Sequence, residues 1–75
     1  MDRSARLQKL RNAVVIGVNQ FAPNTVTLIG DLRYQSHHYR LTKTMSTTGP
    51  EFEQGELCEA IRTELAEHAL KEAGE

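Results

Sequence analysis

Apolar and polar positions change their period along the chain. Over 55–74, Leu57, Ile61, Leu65, Ala69 and Ala73 recur every fourth residue, with Cys58 three before Ile61. At 3.6 residues per turn these side chains share one side of a helix. Glu56, Glu59, Arg62, Glu67 and Lys71 fall largely outside that stripe, and Glu67 stands four residues before Lys71, the favourable order for a surface ion pair. Glu51, Glu53 and Glu56 crowd the start, where backbone N–H groups favour anions, while Lys71 and Gly74 mark the end. Thr48 with Glu51 makes an expected capping box, Pro50 suits a first turn, and Gly55 argues that regular helix follows it. The pattern predicts a helix within 50–74.

The middle of the chain reads in twos. A run of Val14, Val15, Ile16, Val18 and Phe21, closed by Pro23 and Asn24, predicts a strand over 13–21. Thr25–Tyr34 alternates, with Val26, Leu28, Leu32 and Tyr34 on one face and Thr25, Thr27, Asp31 and Arg33 on the other, Ile29 being the exception. Over 38–45, Tyr39, Leu41 and Met45 alternate with His38, Arg40, Thr42 and Thr44. At the start, 3–12 suits a short basic helix, with Ser4 as its cap and Leu7 and Leu10 as a narrow apolar stripe. The fold class that follows is α+β in the order α-β-β-β-α. A three-stranded antiparallel meander carries a long C-terminal helix on one face, within one small domain over 1–75.

Turn lengths suggest a register. A second hairpin closed by Ser36 and His37, or by 35–38, sets Tyr34 opposite Tyr39, Leu32 opposite Leu41 and Leu28 opposite Met45. It also sets Arg33 beside Arg40, a like-charge contact relieved by an anion or by Asp31. A two-residue turn at Pro23 and Asn24 sets Phe21 against Val26 and Val15 against Leu32, and leaves Val14, Ile16, Val18 and Ile29 together on the outer face. That apolar patch calls for a bulge at Gly17, cover from Leu7 and Leu10, or a second copy.

A domain of 75 residues buries only roughly 60% of its unfolded surface, so a partner would add stability. The net charge of −1 conceals a division: up to Met45 seven basic residues oppose two acidic ones, a local charge of +5, and from Ser46 two oppose eight, a local charge of −6. Such a chain offers a basic surface and an acidic helix. Arg6 and Lys9 of the first helix, with Arg33, His38 and Arg40 of the sheet, are the candidate contacts for an anion or nucleic acid. Glu56, Glu59 and Glu67 are the candidate face for a basic partner.

Catalytic chemistry finds no foothold. His37 and His38, adjacent near a hairpin tip, point to opposite faces on a strand, and Cys58 and His68 lie nearly three helical turns apart, too far for joint ligation. Cys58, the single cysteine, reads as a small thiol on the apolar side of the helix. The glycines are scattered, without a phosphate-cradling loop. Neither a signal peptide nor a membrane span is expected, and a reducing cytoplasm fits. No enzyme activity, metal or cofactor is expected.

The order helix, three strands, helix is similar to the layout of double-stranded RNA-binding domains. In that family a lysine-rich start of the final helix meets phosphates. The matching stretch here is Glu51, Phe52, Glu53, Gln54, Gly55 and Glu56, so no binding residue carries over. The expected role is a non-catalytic protein-interaction or regulatory module, self-associating as a homodimer, of the kind small accessory proteins of bacteria and their phages supply. The alternative is a nucleic-acid binder that uses the basic helix and the Arg33/Arg40 sheet face.

Overall fold

The computed structural model describes residues 2–46 and 54–74, apart from the side chains of Phe21 and Gln54. The expected capping box of Thr48 and Glu51, the Pro50 turn and the Phe21–Val26 contact lie outside the described residues. Helix α1 spans Arg3–Ala13, strands β1 (Val15–Ala22), β2 (Thr25–Tyr34) and β3 (His37–Ser46) form one antiparallel sheet in that order, and helix α2 spans Gln54–Glu72. The α-β-β-β-α meander is thus present.

Asp2, rather than Ser4, caps α1. Its backbone is extended and its carboxylate accepts from the Ala5 amide at 2.8 Å, satisfying a donor that the first turn leaves without an intrahelical partner. At the far end of α2, Gly74 takes φ +82°, and its amide donates to the Lys71 carbonyl at 3.1 Å. A residue without Cβ adopts that left-handed conformation at little cost.

The second hairpin turns on Gln35 and Ser36, both at positive φ (50° and 67°), with Tyr34 opposite His37. Positive φ at both central residues is the two-residue geometry whose twist matches the strands. The register therefore differs by two from the sequence expectation: Leu32 faces Tyr39, Gly30 faces Leu41, Leu28 faces Lys43 and Asp31 faces Arg40. A shift of two keeps every side chain on its face. It also replaces the expected Arg33–Arg40 contact with an Asp31–Arg40 pair.

The first hairpin turns at Pro23 and Asn24 as expected, with Asn24 at φ 62° and Ala22 opposite Thr25. A bulge between Asn19 and Ala22 then moves the remaining pairs by one, so that Val15 faces Asp31, Ile16 faces Gly30 and Val18 faces Leu28. One extra residue reverses the faces of the strand beyond it. The expected outer patch is corrected accordingly. Val14 is buried and Ile16 packs against the core, both on the helix side, whereas Ile29 occupies the opposite face. Val18 shares the side of Ile16 but stands 49% exposed, and Val15 turns to the open face at 70%.

The core joins Leu10 and Val14 to Leu28 and Leu32 of β2 and to Ile61, Leu65, Ala66, Ala69 and Leu70 of α2. Ala66 and Leu70 extend the α2 stripe beyond the positions its four-residue spacing picks out, while Leu57 and Cys58 are half-buried at its start. Gly30 sets how closely α2 approaches. A Cβ there would stand 2.9 Å from Leu65 Cδ1 and closer still to Ile61 Cγ2, so only a residue without a side chain fits. The Cα envelope measures 43 × 23 × 15 Å, and its thinnest direction has room for one sheet and one helical layer. The helical layer lies over β2 and β3.

Candidate functional site

Four groups of residues stand out, and they divide the expected site residues among themselves. The first locks the helices together. Arg62, expected in solvent, is half-buried and donates from Nη1 to the carbonyls of Val14 (2.7 Å) and Arg11 (3.1 Å) at the end of α1, the latter also accepting from the Val14 amide. Arg11 pairs with Glu59, and Arg62 Nε lies 4.0 Å from the same carboxylate. Glu59 is therefore engaged inside the chain rather than offered to a partner. Glu56 and Glu67 remain exposed.

The second group lies on the open face of the sheet. Asp31 Oδ1 accepts from Arg40 Nε at 2.7 Å and from His38 Nε2 at 2.8 Å. The Arg40 contact, followed by that of His38, holds the Asp31 carboxyl below the usual carboxylate range. Two of the expected anion contacts, His38 and Arg40, are thus turned toward a carboxylate of their own chain. His37 points to the other face, with its ring centroid 6.2 Å from that of Tyr39. Tyr39 in turn meets His68 edge-on at 5.2 Å. His68 pairs with Glu72 at 3.7 Å, and Glu64 receives Lys43 at 3.5 Å.

The third group is a groove of about 410 Å³ where α1 passes the end of β2, lined by Arg6, Lys9, Leu10, Ala13, Arg33 and Tyr34. The remaining three expected anion contacts meet here, Arg33 lying more than twenty residues along the chain from Arg6 and Lys9. Helical spacing presents Arg6, Lys9 and Ala13 along one side of α1. Arg11, two residues after Lys9, turns toward α2 instead. None of the described lining residues is acidic. Tyr34 and the apolar floor escape a sequence reading because they join the basic residues only through packing.

The fourth is the free edge of β1. This strand pairs on one side with β2, lies at the margin of the helical cover with Ile16 against the core, and carries no charged residue over its eight positions. Val15 and Val18, the exposed large apolar side chains among the described residues, both belong to it. The other edge strand, β3, carries Arg40 and Lys43.

Among the described residues no three His, Cys, Asp or Glu side chains gather as a metal-binding group, and no helix is long and apolar enough to cross a membrane. Comparison with protein-family models, curated proteins and solved structures gives no match for this chain.

Proposed function

We propose that the chain is a small non-catalytic interaction module that pairs with a second copy of itself along β1. The observation that carries this reading is the placement of Val15 and Val18, 70% and 49% exposed, on an uncharged edge strand. An edge presents unpaired backbone donors and acceptors, which proteins normally guard with charge, proline or a covering element. Among the described residues, none of these guards stands along 15–19 of the β1 edge. The bulge before Ala22 ends the straight segment, which limits the seam to about five residues.

Antiparallel pairing about a two-fold axis at Gly17 places Ile16 beside Val18 of the second copy and Val15 beside its Asn19. The sheet then runs through six strands, with both α2 helices on one face. Such an arrangement is isologous and closes at two copies, leaving the charged β3 strands as the outer edges. A seam this short gives a reversible dimer whose fraction rises with protein concentration.

Light scattering behind a sizing column over a concentration series tests the proposal. The expected result is a mass approaching two chains for the wild type and one chain for Val15→Lys and Val18→Lys, with circular dichroism unchanged. Since apolar burial is not weakened by salt, the dimer should persist as salt rises. Ile29→Asp, on the open face of β2, should leave it intact. A wild type that stays monomeric at every concentration, or a dimer that survives both β1 substitutions, overturns the reading.

A further inference from the structure

We infer that the groove between α1 and the end of β2 binds single-stranded nucleic acid, with phosphates held by Arg6, Lys9 and Arg33 and a base set against Tyr34. This goes beyond the pairing of β1, which uses another part of the sheet. Three cations from two elements converge on one concave surface of about 410 Å³, with no carboxylate among the described residues that line it. That volume falls within the ~300–1,000 Å³ of ligand pockets. Arginine and lysine bring phosphate recognition and the tyrosine ring brings a π-face, the two parts from which single-strand sites are built. Leu10 and Ala13 make the floor between them apolar.

The charge is directed as well as concentrated. Arg3 lies one turn before Arg6 on the same side of α1, so a strand leaving the groove would follow a basic track. Among the described acidic side chains, Asp31 is engaged by His38 and Arg40, Glu59 by Arg11 and Arg62, and Asp2 caps α1 at the Ala5 amide. A concave site with a ring in its lining suits an unstacked base better than a duplex, whose bases are closed to it.

The test is fluorescence anisotropy of a labelled oligothymidylate of roughly 12 nucleotides, a length within the site sizes of small single-strand binders. Three phosphate contacts give a salt slope near −2, so affinity should fall about 20-fold between about 50 and 200 mM salt. Lys9→Glu and Arg33→Glu, both at exposed positions, should each weaken binding and flatten that slope by about one contact, whereas Arg40→Glu should do neither. In a Tyr39→Phe variant, emission comes from Tyr34 alone, because the chain has no tryptophan and two tyrosines. Oligothymidylate should quench it. Absence of binding at the lower salt, or binding indifferent to both groove substitutions, overturns the inference. So does equal competition by an oligoglutamate of matched charge, which would assign the groove to an acidic protein segment. A duplex bound as tightly as the single strand, with Tyr34 emission unchanged, would overturn the single-strand assignment.

Discussion

The two edges of the sheet are built in opposite ways. β3 lies under α2, sends Lys43 to Glu64 of that helix and carries Arg40 on its open face. β1 lies beside the helical layer, has no charge and shows two valines to solvent. Both strands are long enough to recruit a further strand, so what separates them is cover and charge rather than length. An edge that a helix packs against gains stability inside its own chain and can carry repulsive side chains. An edge beyond the helix has only its backbone and its apolar side chains to offer, and those favour a partner.

The most forceful way to break this contrast is to close the space under α2. Gly30→Ala places a Cβ inside contact distance of Ile61, and an overpacked core of this kind typically loses about 1–3 kcal/mol. Gly17→Ala, one rung away on β1 where a Cβ meets nothing within 4 Å, should leave the urea midpoint unchanged or slightly raised. Equal midpoints for the two variants would mean that α2 does not bear on β2 at Gly30.

Comparable in size is the effect of opening the lock that brings α1 to the start of β1. Arg62→Met removes a charged donor from two carbonyls and should cost about 1.5–3 kcal/mol, with faster amide exchange at the end of α1. A smaller effect on stability, with a clear effect on assembly, is expected from Lys43→Val. It removes an ion pair of a kind that contributes only ~0–1 kcal/mol, but it strips charge from the second edge. Species larger than a dimer should then appear in light scattering.

The smallest effect concerns Asp31. Its carboxyl is held low by Arg40 and His38, so its ionised form is favoured in the folded chain. The resulting stability is present above the usual carboxylate range and is lost as pH falls through the lowered folded value. Thermal melts of the wild type should therefore lose stability through that acid window, and Asp31→Asn should remove that part of the pH dependence while slightly lowering stability at neutral pH.

Much of this architecture is legible in the sequence. Thr25–Tyr34 was readable to its ends because alternation and turn residues agree there. The faces of β3 were also correct, although its register was displaced by two, since a period of two cannot report such a shift. Charge could have reported it: the observed register sets Asp31 against Arg40, whereas the expected one set Arg33 there. β1 was read onto the wrong faces because a bulge of one residue reverses everything beyond it, and neither Gln20 nor Phe21 announces one. Of the expected anion contacts, Arg6, Lys9 and Arg33 meet in the groove, while His38 and Arg40 are held by Asp31 on the open face.

By itself the sequence determined the order of elements, the apolar stripe of α2, the alternation of β2 and β3 and the division of charge between the two parts of the chain. These follow from local periodicity and composition, which each segment carries within itself. Only the tertiary structure decided that Val14 belongs to the core and Val15 to solvent, that Gly30 admits α2, that Arg62 closes the end of α1 and that Arg6, Lys9 and Arg33 share a groove with Tyr34. Each of these depends on where residues distant along the chain come to rest, and a one-residue bulge or a turn one residue earlier is enough to change their neighbours.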